Sequence, residues 1–193
     1  MNTRRTMARL GMVTAGTAAL LLTATGVAMA APATTTGHAA SPATRACTSA
    51  DLQASFGPGE GAAGTTYYPL NLLNTSDTAC VISGFPGIAY ADPAYNLVGD
   101  PAQGDGEDHG PVVLLPNGSA NAIIGQVDYT AFDSTVCQPT PVSYFFISTP
   151  DESAGQGQGQ YVELPGGDSF GCTGHTPSPQ LTVTAVAPGV FEG

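Results

Sequence analysis

The stretch Asn71–Gly87, "NLLNTSDTACVISGFPG", decides how this chain is read. An apolar run halts at Asn74-Thr75-Ser76-Asp77, residues whose side chains close turns by bonding to nearby backbone. It restarts at Cys80-Val81-Ile82 and stops again at Gly84-Phe85-Pro86-Gly87. Gly84 and Gly87 permit backbone angles closed to other residues, and Pro86 fixes one. The stretch therefore reads as strand, turn, strand and corner. Phe85, on that corner, is a candidate ligand contact; the plainer reading is that the whole stretch only turns and staples a β-fold.

The same grammar extends in both directions. Upstream, "DLQASFGP" alternates, with Leu52, Ala54 and Phe56 on one face. In "GTTYYPLNLLN", Tyr68, Leu70 and Leu72 share a face, and Pro69 marks an edge or a bulge. Downstream, "GIAYAD", "PVVLLP", "SANAIIGQVDY", "VSYFFIST", "YVEL" and "QLTVTAVAP" read as short strands between Gly, Pro, Asn and Asp clusters. No window has the period of a long amphipathic helix. At most, "TSADL" (48–52) makes one turn capped by Thr48 or Ser49. The expectation is an all-β fold, an antiparallel immunoglobulin-like β-sandwich of about eight or nine short strands. The Trp usual in immunoglobulin domains is absent, since the chain has none.

Residues 1–30 read as a secretory signal peptide: Arg4, Arg5 and Arg9, an apolar Leu10–Leu22, then Ala28-Met29-Ala30. The paired arginines fit twin-arginine as well as general export. The apolar stretch is too short to span a bilayer stably. Residues 31–46, "APATTTGHAASPATRA", read as a disordered Ala/Thr/Pro linker. Residues 47–193 form one domain, long enough for a single core. Cys47 follows Thr44-Arg45-Ala46, which is not a lipobox, so the protein is expected to be released to the extracellular space without a membrane span in the mature chain.

Composition narrows the partners. The whole chain carries a net charge of −11, but Arg45 is the only Lys or Arg after residue 30, while all 15 carboxylates lie beyond it. The mature chain is therefore near −14. Nucleic acid and anionic membranes both need Lys and Arg, so neither is an expected partner. All four Met lie in the first thirty residues, which excludes Met-based copper handling. The acidity serves solubility, and beyond that favours a basic extracellular or envelope protein, or a divalent cation. No cofactor is expected.

Cys47, Cys80, Cys137 and Cys172 are an even set in an exported chain, which implies two disulfides; four cysteines allow three connectivities. Pairing Cys47 with Cys80 and Cys137 with Cys172 is favoured because each bond then closes a local loop of similar length. Such loops contribute roughly 3–4 kcal/mol in the chain-entropy view. None of the spacings is that of a zinc or redox motif.

Cys47 with "TSADLQASF", "LLNTSDTAC" ahead of the Gly-Phe-Pro-Gly corner, and "LLPNGSA" together resemble the secreted actinobacterial family catalogued as domain of unknown function 4232. The resemblance runs from Cys47 to about Ala187. It implies an extracellular β-sandwich and no established activity. Relatives that are lipoproteins would stay on the cell surface; the missing lipobox is a departure from them.

Three further patterns invite chemistry. "GGDSFG" matches G-x-S-x-G, with Ser169 as a candidate nucleophile, but no helix follows it as the hydrolase elbow requires. A triad would have to recruit His109 or His175 through the fold. "GDPAQGDGEDHG" (99–110) gathers Asp100, Asp105, Glu107, Asp108 and His109. Its oxygens suit calcium, with Asp105, Glu107 and Asp108 as candidate ligands, though the spacing fits no EF-hand. Asn74 and Asn117 sit in N-glycosylation patterns read here as turns. Tyr67 and Tyr68 are adjacent, so one of them faces away from the core and is a candidate sugar contact. The expectation is a non-catalytic secreted binding or structural module. Its alternatives are a secreted serine hydrolase using Ser169, or a protease inhibitor presenting the loop Pro150–Gln160.

Overall fold

The computed structural model describes residues 44–152 and 158–191. The expected signal peptide (1–30) and the expected linker as far as residue 43 lie outside the described residues. The first eight strands are β1 (Leu52–Phe56), β2 (Glu60–Ala62), β3 (Thr65–Asn74), β4 (Cys80–Ile82), β5 (Gly87–Ala91), β6 (Leu97–Val98), β7 (Gln103–Asp105) and β8 (Val112–Leu114). The rest are β9 (Ser119–Val127), β10 (Pro139–Val142), β11 (Tyr144–Ser148), β12 (Gln160–Glu163), β13 (Ser169–Cys172), β14 (Leu181–Thr184) and β15 (Ala187–Pro188). A 3-10 turn, Tyr129–Ala131, and one short α-helical turn, α1 (Ser134–Cys137), interrupt them.

The fold is mostly β, as expected, with more and shorter strands than the eight or nine read from the sequence. Those overlooked include β2, β7 and β10, which are exposed or Pro-containing and carry no apolar alternation. A seven-stranded sheet runs β1-β3-β9-β14-β7, with β2 also on β3 and β15 also on β9. A four-stranded sheet runs β12-β11-β5-β6, and β4-β8 and β10-β13 are separate two-stranded ladders. The expectation of an antiparallel fold needs correction, because β7 joins β14 in parallel.

Both larger sheets feed one core. Leu70, Leu72, Ala122 and Ile124 enter it from the first, and Ile88, Tyr90, Phe145 and Ile147 from the second. The ring centroid of Phe56 lies 5.4 Å from that of Phe145, which also stacks on Tyr90. Leu52 and Ala54 are buried on the face read from alternation, and Phe56 packs beside them.

Pro69 is an interior residue of the sheet, not an edge one. β1 pairs with β3 as far as Leu70, and β2 resumes at Tyr67, so Gly57-Pro58-Gly59 bulge opposite Pro69. The Pro69 carbonyl accepts from Gly57 N at 2.9 Å on that side. A strand residue aims its N and O the same way, so the missing N–H faces the bulge, where the ladder is already broken.

The opening stretch turns on Asn74, which is fully buried at the end of β3. Its Nδ2 donates to the carbonyls of Thr78 (3.0 Å), Leu114 (3.1 Å) and Leu115 (3.3 Å). Its Oδ1 accepts from Ser76 N and Ser76 Oγ. One amide thus closes the turn and ties it to the end of β8. The strand that follows is stapled to the domain start, since Cys47 is bonded to Cys80; Cys137 is bonded to Cys172, at the end of β13. Arg45 and Ala46, counted with the linker, belong to this start. Val81 N donates to the Arg45 carbonyl, and Ala46 bridges Val81 in parallel. The "TSADL" segment makes a turn, with Asp51 N bonded to the Thr48 carbonyl, and the helical turn falls instead at α1, capped by Asp133.

Candidate functional site

The Gly84 corner is structural. Gly84 takes φ +90° and its carbonyl accepts from Val186 N, while Gly87 opens β5. Phe85 packs against the core, and its ring faces Gly104 of β7 so closely that a Cβ there would lie 3.1 Å from it. Phe85 is spent on packing, and no ligand contact is built there.

Ser169 opens β13 opposite Val142. Its Oγ takes a long hydrogen bond, 3.5 Å, from Gln126 Nε2. Among the described residues no histidine bonds to it: His175 Nδ1 lies 3.0 Å from Asp100 Oδ2 on the surface, and His109 sits in an exposed loop. The neighbouring Asp168 accepts from Ser143 Oγ at 2.7 Å. Ser169 lines a shallow polar cleft of about 170 Å³ with Tyr68, Gln126, Asp128 and Asp168. Nothing in it can take the serine proton as a general base of the imidazole kind.

Beside this cleft, the Tyr90 hydroxyl is buried without a hydrogen-bond partner among the described residues. Burial pushes that phenol well above its ordinary range; Gln126 is near enough to oppose the shift slightly, but its amide is directed at Ser169.

The acidic loop divides rather than gathers. Asp105 ends β7, Asp108 accepts from Gly110 N of its own turn, and Glu107 is exposed. No group of three or more His, Cys, Asp or Glu stands ready for a metal ion among the described residues.

Of the loop Pro150–Gln160, residues 153–157 lie outside the described residues, but both ends are clamped. Glu152 Oε2 accepts from Ser49 N at 3.0 Å, from Ser49 Oγ, and from Thr149 Oγ1 at 2.9 Å. Burial pushes the Glu152 carboxyl up, yet these hydrogen bonds outweigh it and hold the group below its usual value. Gln160 lies along the free edge of β1, donating to the carbonyls of Ser49 and Leu52 and accepting from Ala54 N. The amide does there what a neighbouring strand would do.

Two exposed surfaces remain. Tyr67 faces outward and Tyr68 inward, as adjacency requires. Tyr67, Pro58, Pro69, Ile123 and Phe191 line an apolar groove of about 510 Å³. On the other sheet, Tyr95, Tyr144 and Tyr161 form a connected row of rings that sequence reading missed entirely. The three come from a turn and two strands, and no spacing along the chain announces them.

The electrostatics are one-sided. Arg45 binds Asp51 through both guanidinium ends, at 2.6 and 2.8 Å, and also donates to Thr78 Oγ1. This pairing, with the Thr48 amide, holds the Asp51 carboxyl well below the usual range. No second Lys or Arg is present after residue 30 to offset the remaining carboxylates.

These features define a class: a β-rich domain closed by two disulfides, acidic outside, with exposed aromatic surfaces. The family profile described as "Domain of unknown function (DUF4232)" matches residues 47–187, and the chain belongs to that family. No curated protein and no solved structure matches it. Among the described residues no helix is long and apolar enough to cross a membrane, and two disulfides suit an oxidising compartment.

Proposed function

We propose that this is an exported, non-catalytic binding module of the extracellular space or cell envelope, folded as an immunoglobulin-like sandwich and drawn to basic protein partners. The observation that carries the reading is the charge distribution. The one Arg after residue 30 is consumed by Asp51, so the other carboxylates have no Lys or Arg to neutralise them. Such a field raises encounter rates with basic surfaces and falls off with salt. The signal-like first thirty residues and the actinobacterial resemblance support export. The test is capture: the immobilised protein, exposed to envelope extract and culture fluid of its host at low salt, is expected to retain basic proteins.

A hydrolase reading would need Ser169 to be activated, and a serine-reactive fluorophosphonate is expected to leave it unlabelled. The inhibitor reading draws on the clamped ends of the loop 150–160. Failure to slow any protease of the same culture fluid would remove it.

A further inference from the structure

Along β11, Phe145 and Ile147 enter the core, so Tyr144 and Phe146 point to the opposite face of the sheet. On β12, Glu163 stands opposite Tyr144 and Tyr161 opposite Phe146. Tyr95, from the turn between β5 and β6, lies over them: its ring centroid is 4.9 Å from that of Tyr144 and 4.9 Å from that of Tyr161. Tyr161 continues the row to Phe146 at 5.1 Å and donates its hydroxyl to the Tyr95 carbonyl. Phe146 is buried, yet Tyr95 is 52% and Tyr161 42% exposed.

Tyr95 holds that place against its own backbone preference. The turn Asp92–Asn96 closes through Tyr95 N to the Asp92 carbonyl and Asp92 N to the Asn96 carbonyl, both 2.9 Å. The Asp92 carboxylate fixes it further, accepting from Ala94 N, Asn96 N and Asn96 Nδ2. Tyr95 has φ +65°, in the left-handed region that hairpins of this length normally give to Gly or Asn. A bulky side chain kept in a strained position, with half its ring left in water, points toward use of the ring rather than toward packing alone.

We infer that the Tyr95–Tyr144–Tyr161 row is the seat for an arginine or lysine side chain of a basic partner. The face of an aromatic ring attracts a cation through its quadrupole. Carboxylates complete the charge match: Glu163 stands beside Tyr144 in register, and both Glu163 and Asp168 lie close enough to act on the Tyr144 hydroxyl. Among the described residues no Lys or Arg competes, because Arg45 is held by Asp51. This site rests on the binding-module reading and names where that module would hold its partner. A hexose could stack on the same rings and donate hydroxyls to the carboxylates, but it carries no charge to answer them, so its binding would be insensitive to salt.

The test uses the protein with both disulfides formed and an acetylated, amidated Gly-Arg-Gly-Arg-Gly peptide. Its citrulline counterpart serves as the neutral isostere. Tyrosine fluorescence and calorimetry read binding, and thermal unfolding confirms that each variant is folded. The arginine peptide is expected to bind at least about tenfold better than the citrulline peptide. Tyr95→Leu and Tyr161→Leu should each weaken it about fivefold. Tyr95→Phe, which keeps the ring, should stay within about twofold, and Tyr67→Leu in the other groove should match wild type. Tyr161→Leu keeps Tyr95 itself, and Tyr161→Phe, which removes only the hydroxyl bonded to the Tyr95 carbonyl, should stay within about twofold and so separates loss of the ring from loss of that contact.

The inference is overturned if the wild type ignores the arginine peptide, if citrulline binds equally, or if both leucine variants bind as wild type. It is also overturned if a soluble hexose polymer, insensitive to salt, is what the tyrosines bind. Should the leucine variants fail to weaken the peptide while basic proteins are still captured, the site is wrong and the module reading stands. Should the peptide bind through the tyrosines while no basic protein is captured, the site stands and the module reading falls.

Discussion

Removing the Asn74 amide would take its donor from the Leu114 carbonyl, in a buried place, and its acceptor from Ser76 N. Each orphaned buried group costs about 1–3 kcal/mol, so Asn74→Ala is expected to destabilise the fold by about 3 kcal/mol, read by urea unfolding. A change under about 1 kcal/mol would mean the turn closes without the amide. Asp51 makes a different prediction. Its folded pKa is depressed, first by the Arg45 hydrogen bond and then by the Thr48 amide. The stability it contributes is therefore present above the unfolded value of about 4 and is lost as pH falls through the lower folded value. Glu152 is shifted in the same direction. Thermal midpoints should hold steady above about pH 5 and fall below about pH 4, with Asp51→Asn showing a shallower acid slope. An unchanged slope in that variant would assign acid sensitivity to other groups.

Among the elements, β1 is an edge strand whose free side is covered by one side chain, Gln160. Gln160→Ala is expected to cost about 2 kcal/mol and to raise concentration-dependent light scattering, because a bare edge is a template for pairing. Breaking the second staple with Cys137→Ser and Cys172→Ser should cost about 3–4 kcal/mol. The long strands were legible in the sequence because burial on one face imposes alternation, as at Leu52, Ala54 and Phe56. The cysteine pairing was legible too, because both bonds close local loops. Strands β2, β7 and β10 were not legible: ladder bonds made by exposed residues demand no particular side chain. The linker boundary was set two residues late for a similar reason, since Arg45 and Ala46 join the domain through backbone bonds to Val81. Of the sites, Ser169 was read from a short sequence pattern and the acidic loop from its composition; among the described residues no histidine bonds to Ser169 and no cluster of three metal ligands forms. The tyrosine row depends on three segments meeting, which only the sheet register reveals.

For the molecule as a whole, charge is the property that sets behaviour. Residues 31–193, near −14, repel one another, and moderate salt should raise the thermal midpoint by a few degrees while weakening any bond to a basic partner. The measurement that tests this most directly is capture from host envelope extract, with a Cys80→Ser Cys172→Ser chain as control. The control carries the same charge without the staples, so the comparison separates field from folded surface. The account predicts basic proteins retained by the intact protein at about 50 mM salt, released by about 500 mM, and absent from the control. Nothing retained at low salt, or equal retention by the control, would contradict it.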